Sequence, residues 1–397
     1  MNIGIYGGTF NPVHAGHMTA AKFAMEYLGL ERLYLIPAGI PPHKRMAAGS
    51  PGPEHRLAMT RLAADAAGPG AEALDLELRR EGRSYTVDTL RQLREWHPND
   101  RLYLLMGTDM FLTLQYWREP GEIVKLCTPC AFGRSEKDTE ELFAVQRQYL
   151  AETFGADVVT LALPHIVDIS STELRERLKK GEGREYLDPA VYGYILRHGL
   201  YGVEADLKRL SLEDLRCAAR SMLKHSRVPH VLGAEETAAA LARRWGADEE
   251  DARRAALLHD CTKWLDREQQ LALCRQYKIE PDELERRETN LLHALTGAAV
   301  AREVFGVSPE MEGAIRWHTT GKADMTLLEK ILYLADYIEP TRSFCDLTEL
   351  RRLAFEDLDR AMLLGLTMAV EDLGKKNGVT VHPNSVFARD YLKGKLT

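Results

Sequence analysis

Six residues in the second half of the chain have the types and spacing of a metal cage: His230, His259, Asp260, His293, His318 and Asp336. Imidazole and carboxylate without thiolate are donors for hard or borderline divalent ions. Each of the six falls in a stretch with helical spacing, and a metal held on helices points to hydrolysis, with a phosphate ester as the expected substrate class. The first half opens on a different signature, Gly7-Gly8-Thr9-Phe10-Asn11-Pro12-Val13-His14-Ala15-Gly16-His17. Glycines directly after an apolar strand let backbone approach a phosphate. His14 and His17, three apart, share a face if a helix begins there, and its free N–H groups and dipole favour an anion. The bland alternative is a turn with two surface histidines. Two chemistries are therefore expected on one polypeptide.

Other segments of the first half offer phosphate contacts. Ile169-Ser170-Ser171-Thr172-Glu173-Leu174-Arg175 combines a hydroxyl cap, a Ser170/Glu173 capping-box pattern and an arginine one turn in. That helix start serves either as a cap alone or as a phosphate site, with Arg175 giving charge-assisted hydrogen bonds. Pro41-Pro42-His43-Lys44 puts a cation on a stiff loop.

The elements that must position these residues differ between the halves. Over 1–200, the apolar runs Ile3–Tyr6, Leu33–Pro37, Leu74–Leu78, Arg101–Met106 and Val158–Leu163 read as strands. They alternate with helical patterns near 17–28, 54–67, 86–97, 171–180 and 189–198. Such alternation predicts a parallel sheet covered on both faces, with ligand beyond the carboxyl ends of the strands, where the glycine loop falls. From about Leu207 helical periodicity continues almost throughout, as in Ala234–Trp245, Asp251–Leu258, Leu295–Phe305 and Leu327–Ile338. The expected division is 1–202, a short join over 203–209, and an all-helical domain over 210–397.

Composition narrows the classes. The 397 residues, 45% hydrophobic and 28% charged, suit two or three globular domains. A net charge of −7 argues against an extended nucleic-acid footprint, while small anionic nucleotides need only local Arg and Lys. Neither a signal-like start nor an apolar run near 18 residues is present, so no membrane role and a cytoplasmic location are expected. Six cysteines in such a chain suggest free thiols. Cys127-Thr128-Pro129-Cys130 is a lone CxxC without the second pair of a zinc site, and reads as structural.

Together with GGTFNPVHAGH and PPHK, the segments SYTVDTL (84–90), GTDMFLTLQYW (107–117), ISSTELR and the tail YILRHGLY (194–201) resemble, in order and spacing, bacterial nicotinate-mononucleotide adenylyltransferases. The resemblance covers essentially all of 1–200. It implies an α/β Rossmann-like nucleotidyltransferase domain that moves AMP from ATP to nicotinate mononucleotide with Mg²⁺, giving deamido-NAD and pyrophosphate by direct in-line displacement. By that resemblance His14 and His17 stabilise the α/β-phosphate charge, and Thr172 and Arg175, beside Ser171, hold the triphosphate. Gly8, Thr9 and Phe10 belong to the binding loop, and Lys44 meets the mononucleotide phosphate. Thr86 and Trp117 frame the pyridine ring, and Asp109 faces ATP. Asn11 stands where Asp is common. Another nucleotidyl acceptor, such as phosphopantetheine, is the alternative within the superfamily; SYT and Trp117 argue against it.

The second half, with SRVPH, LLHD, LLHALTGA, IRWHTTG and ADYIEPTR, resembles HD-domain hydrolases over roughly 207–390, specifically the branch similar to symmetrical diadenosine-tetraphosphate hydrolases. The resemblance implies an all-α HD-domain helical bundle with His230, His259, Asp260 and Asp336 around iron or another divalent transition metal. His293 and His318 would lie toward the phosphates, holding a second ion or touching substrate. Arg227, Lys263, Tyr337 and Arg342 would contact nucleotide. Diadenosine tetraphosphate would yield two ADP. A nucleotide-sensing module, or a phosphohydrolase of another nucleotide, is the alternative, and a homo-oligomer is left open.

Overall fold

The computed structural model describes all residues except 41–45, 48, 134–137, 344 and 376–379. It contains two compact units, Met1–Glu204 and Ala205–Thr397.

In the first unit successive strands point alternate residues to opposite faces, and both faces are buried. Strand β1 (Asn2–Gly8) sends Ile3 and Ile5 to one core and Tyr6 to the other. Strand β2 (Arg32–Pro37) divides Tyr34 and Ile36 from Leu33 and Leu35 in the same way. With β3 (Ala71–Ala73), β4 (Arg101–Gly107), β5 (Thr128–Phe132) and β6 (Val159–Leu161) they form a six-stranded sheet in the order β3-β2-β1-β4-β5-β6, every pair parallel. The order reverses between β1 and β4, which opens a crevice at their carboxyl ends, the place where doubly wound sheets bind ligands. Helices Ala15–Tyr27, Pro53–Ala67, Thr86–Trp96, Ser171–Leu178 and Pro189–His198 lie where the spacing predicts them.

Leu74–Leu78 is not a strand. The edge strand is Ala71–Ala73, opening after Gly70 at φ 102°. The LDLEL run instead turns, with Leu78 and Arg79 N–H bonded to the Asp75 carbonyl. The CxxC segment runs from the end of helix Pro120–Leu126 into β5, and both thiols are buried, which pushes each up to about 12. All six cysteines are free.

The second unit is helical, and no strand occurs among its described residues. Helix Val228–Trp245 buries Ala234, Ala238, Ala239 and Ala242. The neighbouring helix Glu249–Leu258 buries Ala252, Ala255 and Ala256. Small side chains let these backbones approach, which brings the residues at the helix ends together. Oxygen caps at Ser211, Asp248, Asp266, Asp282, Ser308 and Thr326 fix where the helices start. Among the described residues no helix is long and apolar enough to cross a membrane.

Candidate functional site

A cavity of about 660 Å³ lies at the crevice of the first unit, bounded by Gly8, Thr9, His14 and His17 on one side and by Ser171 and Thr172 on another. His14 is the N-cap of helix Ala15–Tyr27, and its backbone N–H donates to His17 Nδ1 at 3.2 Å. An accepting Nδ1 leaves the neutral His17 ring its proton on Nε2. Phe10 is fully buried, edge-on to Tyr6 at 5.6 Å and to His17 at 5.2 Å between ring centroids. Its side chain therefore supports His17 from the core and does not line the cavity.

The loop between β1 and this helix is held by its carbonyls. Arg56 Nη1 donates to Thr9 O at 2.8 Å and Arg175 Nη1 to Asn11 O at 2.8 Å, while Tyr201 Oη donates to Asn11 Oδ1 at 3.0 Å. Arg175 Nη2 also bonds Thr172 Oγ1 at 3.1 Å, and Ser170 caps its helix by accepting from Glu173 N–H at 3.1 Å. Arg56 is 3% exposed, and burial lowers its pKa. A guanidinium keeps its proton all the same, so a fixed positive charge sits beneath the loop.

The cavity is also lined by Thr86, the first residue of its helix, with Trp117, Asp109, Ser84 and Glu77. Arg118 lies over the Tyr85 ring at 4.7 Å. The Glu77 Oε1 accepts from Thr89 Oγ1 at 2.9 Å, and burial raises its carboxyl above the usual range. Lys44 lies outside the described residues.

In the second unit the six cage residues converge. His230 Nε2 lies 3.0 Å from Asp336 Oδ1, 3.4 Å from His259 Nε2 and 3.9 Å from Asp260 Oδ2; His259 Nε2 is 3.4 Å from Asp260 Oδ2 and 3.7 Å from Asp336 Oδ1. Donors about 2.0–2.2 Å from one ion are spaced much like this. The other Asp260 oxygen, Oδ1, faces a second group: His293 Nε2 at 3.2 Å, His318 Nε2 at 3.9 Å and Lys263 Nζ at 3.2 Å, with the two imidazole Nε2 atoms 3.1 Å apart. Asp260 thus belongs to both donor groups, and His318 joins them a second time through His259 and Asp336.

The imidazole tautomers settle what these nitrogens can do. His259 Nδ1 is 2.6 Å from Ala256 O, His318 Nδ1 is 2.6 Å from Ile315 O, and His230 Nδ1 is 3.0 Å from Glu339 Oε1. A carbonyl only accepts, so Nδ1 carries the proton and Nε2 turns a lone pair inward. Facing lone pairs repel unless a cation lies between them; the donor set fits a divalent ion. Charges are distributed unevenly over these groups. Burial holds His293 and His318 low, hence neutral. Burial opposes charge on Asp260 and Asp336 too, yet the histidines beside both, Lys263 at Asp260 and Arg342 at Asp336 outweigh it and keep both ionised. For His259, burial is outweighed by Asp260 and Asp336, which raise its pKa.

Arg227 Nε donates to Asp260 Oδ2 at 2.6 Å and Arg342 Nη2 to Asp336 Oδ1 at 2.7 Å, so both arginines border the cage. Tyr337 stacks on Tyr333 with centroids 6.4 Å apart. Two residues gave little signal in the sequence. Arg56 sits inside an ordinary amphipathic helix, and Glu339 within ADYIEP looks like a helix end. The only hint of Glu339 is its place three residues after Asp336.

Known proteins match each unit separately. The family model described as cytidylyltransferase-like matches residues 5–177, and that of the HD domain matches 227–341. A Thermus thermophilus protein named "Probable nicotinate-nucleotide adenylyltransferase" is 41% identical over 202 residues, which is 51% of this chain and 100% of that protein. A Dictyoglomus thermophilum protein of the same name is 36% identical over 202 residues, again 51% of this chain and 100% of its own length. A solved Clostridium acetobutylicum structure, described as an HD superfamily hydrolase involved in NAD metabolism, is 37% identical, covers 47% of this chain and 98% of its own, and has a TM-score of 0.45. Through its first unit the chain belongs to the nicotinate-nucleotide adenylyltransferase family, and its second unit carries an HD domain.

Proposed function

We propose a bifunctional enzyme in which residues 1–202 transfer AMP from ATP to nicotinate mononucleotide and residues 210–397 cleave diadenosine tetraphosphate symmetrically to two ADP. The first activity is supported by a cavity at the sheet's reversal point lined by the glycine loop, two histidines, the Ser171–Thr172 helix start, Thr86 and Trp117. The mononucleotide phosphate attacks the ATP α-phosphorus as the bond to pyrophosphate breaks. His14 and His17 meet the growing phosphate charge, and a donor fixed in advance is worth about 10²–10³ in rate. Thr172 and Arg175 hold the triphosphate, Lys44 the mononucleotide phosphate, and Trp117 stacks on the pyridine ring. Mg²⁺, bound with ATP, would screen the phosphates.

The second activity is supported by Asp260, whose two oxygens face separate imidazole groups. His230, His259, Asp260 and Asp336 would hold iron or another divalent transition metal, and Asp260, His293 and His318 a second ion. When bound, such ions acidify water and neutralise phosphate oxygens. Arg227, Lys263 and Arg342 orient the polyphosphate, and Tyr337 borders the nucleotide.

One experiment tests both halves. Full-length wild type and His259→Ala are incubated with diadenosine tetraphosphate and Fe²⁺ or Mn²⁺, and separately with ATP, Mg²⁺ and nicotinate mononucleotide. Two ADP from wild type alone, with deamido-NAD from both proteins, is the expected result. Intact tetraphosphate, or ATP plus AMP, would replace the symmetrical hydrolase by a sensor or another phosphohydrolase. Absence of deamido-NAD from wild type would overturn the first assignment.

A further inference from the structure

Beside the metal cage stands an aromatic side chain that neither the cage nor the core uses. Trp264 is 53% exposed, and a large ring left in water next to a polar site is the kind of surface that binds. Two ties between segments 224–227 and 260–264 fix its place. Arg227 Nε meets Asp260 Oδ2 at 2.6 Å, and Lys224 Nζ lies 4.2 Å over the Trp264 ring. His225–Arg227 is one tight turn with Lys224 as its cap. On the facing segment Lys263 N–H bonds Asp260 O at 3.0 Å and Leu265 N–H bonds Thr262 O at 3.1 Å. These bonds keep Trp264 within about one turn of the carboxylate between the two donor clusters. Lys263 Nζ reaches that carboxylate at 3.2 Å. Lys224 thus lies on the ring, while Arg227 and Lys263 hold the Asp260 carboxylate four residues before it.

We propose that the Trp264 indole is the stacking platform for the nucleobase of the HD site's substrate, a nucleoside polyphosphate whose phosphates pass Lys224 and Lys263 to reach the cage. This deepens the hydrolase reading of that site and rests on it. Lys224 covers part of the indole and leaves the rest for a base. Stacking of this kind is worth roughly 5- to 100-fold in binding.

The test uses the full chain with Mn²⁺, comparing wild type, Trp264→Leu and Trp264→Tyr. The leucine variant is expected to raise KM for diadenosine tetraphosphate by roughly tenfold with kcat little changed, and the tyrosine variant to restore it. Cleavage of inorganic tetraphosphate, which has no base, should not respond. Independently, the difference in tryptophan emission between wild type and Trp264→Leu isolates one of the five tryptophans and should be quenched by ADP. An unquenched difference signal, or an unchanged KM in the leucine variant, overturns the platform. ADP quenching of Trp264 in a wild type that hydrolyses nothing keeps the platform and rejects the hydrolase reading.

Discussion

An imidazole binds a metal through whichever nitrogen lacks a proton, and its neighbours choose that nitrogen. In His259 and His318 the choice is made by the carbonyl three residues earlier, at the end of each one's own helix. His230 lies within a helix and has no such carbonyl to spare; Glu339 does the work instead. Its carboxylate is fully buried, with Oε1 3.0 Å from His230 Nδ1 and Oε2 accepting from Thr341 N–H at 2.7 Å. Burial opposes its ionisation, but Thr341 and His230 outweigh burial and hold it below the usual range. The approach depends on Gly233, because a Cβ there would stand 2.5 Å from Glu339 Oε2. Glu339→Ala is expected to weaken metal binding by about 10- to 100-fold, read by competition against a chromophoric chelator. Unchanged affinity would mean that His230 is oriented by something else. Apart from its spacing after Asp336, the sequence gives no sign of this residue, because its importance arises from a contact spanning 109 positions.

At the scale of elements, the loop after β1 is shaped by side chains from three other segments. Arg56 comes from helix Pro53–Ala67, Arg175 from Ser171–Leu178 and Tyr201 from the turn after Pro189–His198. Arg56→Met removes a buried charged donor and leaves the Thr9 carbonyl without it, which costs about 1–3 kcal/mol of first-unit stability. Denaturant unfolding checks the figure, and wild-type stability would show that Arg175 and Tyr201 suffice. The elements that carry the loop were legible because β1 and its helix have strong, contrasting periods. Two other strands, β3 and β5, were not. LDLEL alternates as a strand would, but here a turn leaves the leucines half-buried and buries Glu77. Strand β5 was hidden for the opposite reason: a strand covered on both faces has no period of two, and Pro129 argues against a central strand. The proline is accommodated because β6 pairs only from Cys130 onward.

For the whole molecule, what matters is that each unit has its own core. The two apolar clusters of the sheet and the single cluster of the helices share no residue, so each unit can respond to its own ligand. The change of period near Leu207 made this division readable, whereas no local pattern could reveal which donor atoms would face one another. In the second unit the consequence is thermodynamic. Folding alone brings Asp260, Asp336 and the Nε2 atoms of His230, His259 and His318 within reach of an ion. A divalent ion therefore binds the folded state selectively, because the unfolded chain does not assemble the cage. Calorimetry of the full chain should therefore show two transitions, of which one falls when metal is removed by a chelator and returns when Mn²⁺ is added. At an ion concentration about 100 times Kd the linkage is worth about 2.7 kcal/mol, a shift of several degrees for a unit of this size. The transition that does not move should be raised instead by ATP with Mg²⁺. A chelator that lowered both equally would show that the cage supports the sheet as well, and a chelator that lowered neither would remove the case for a metal.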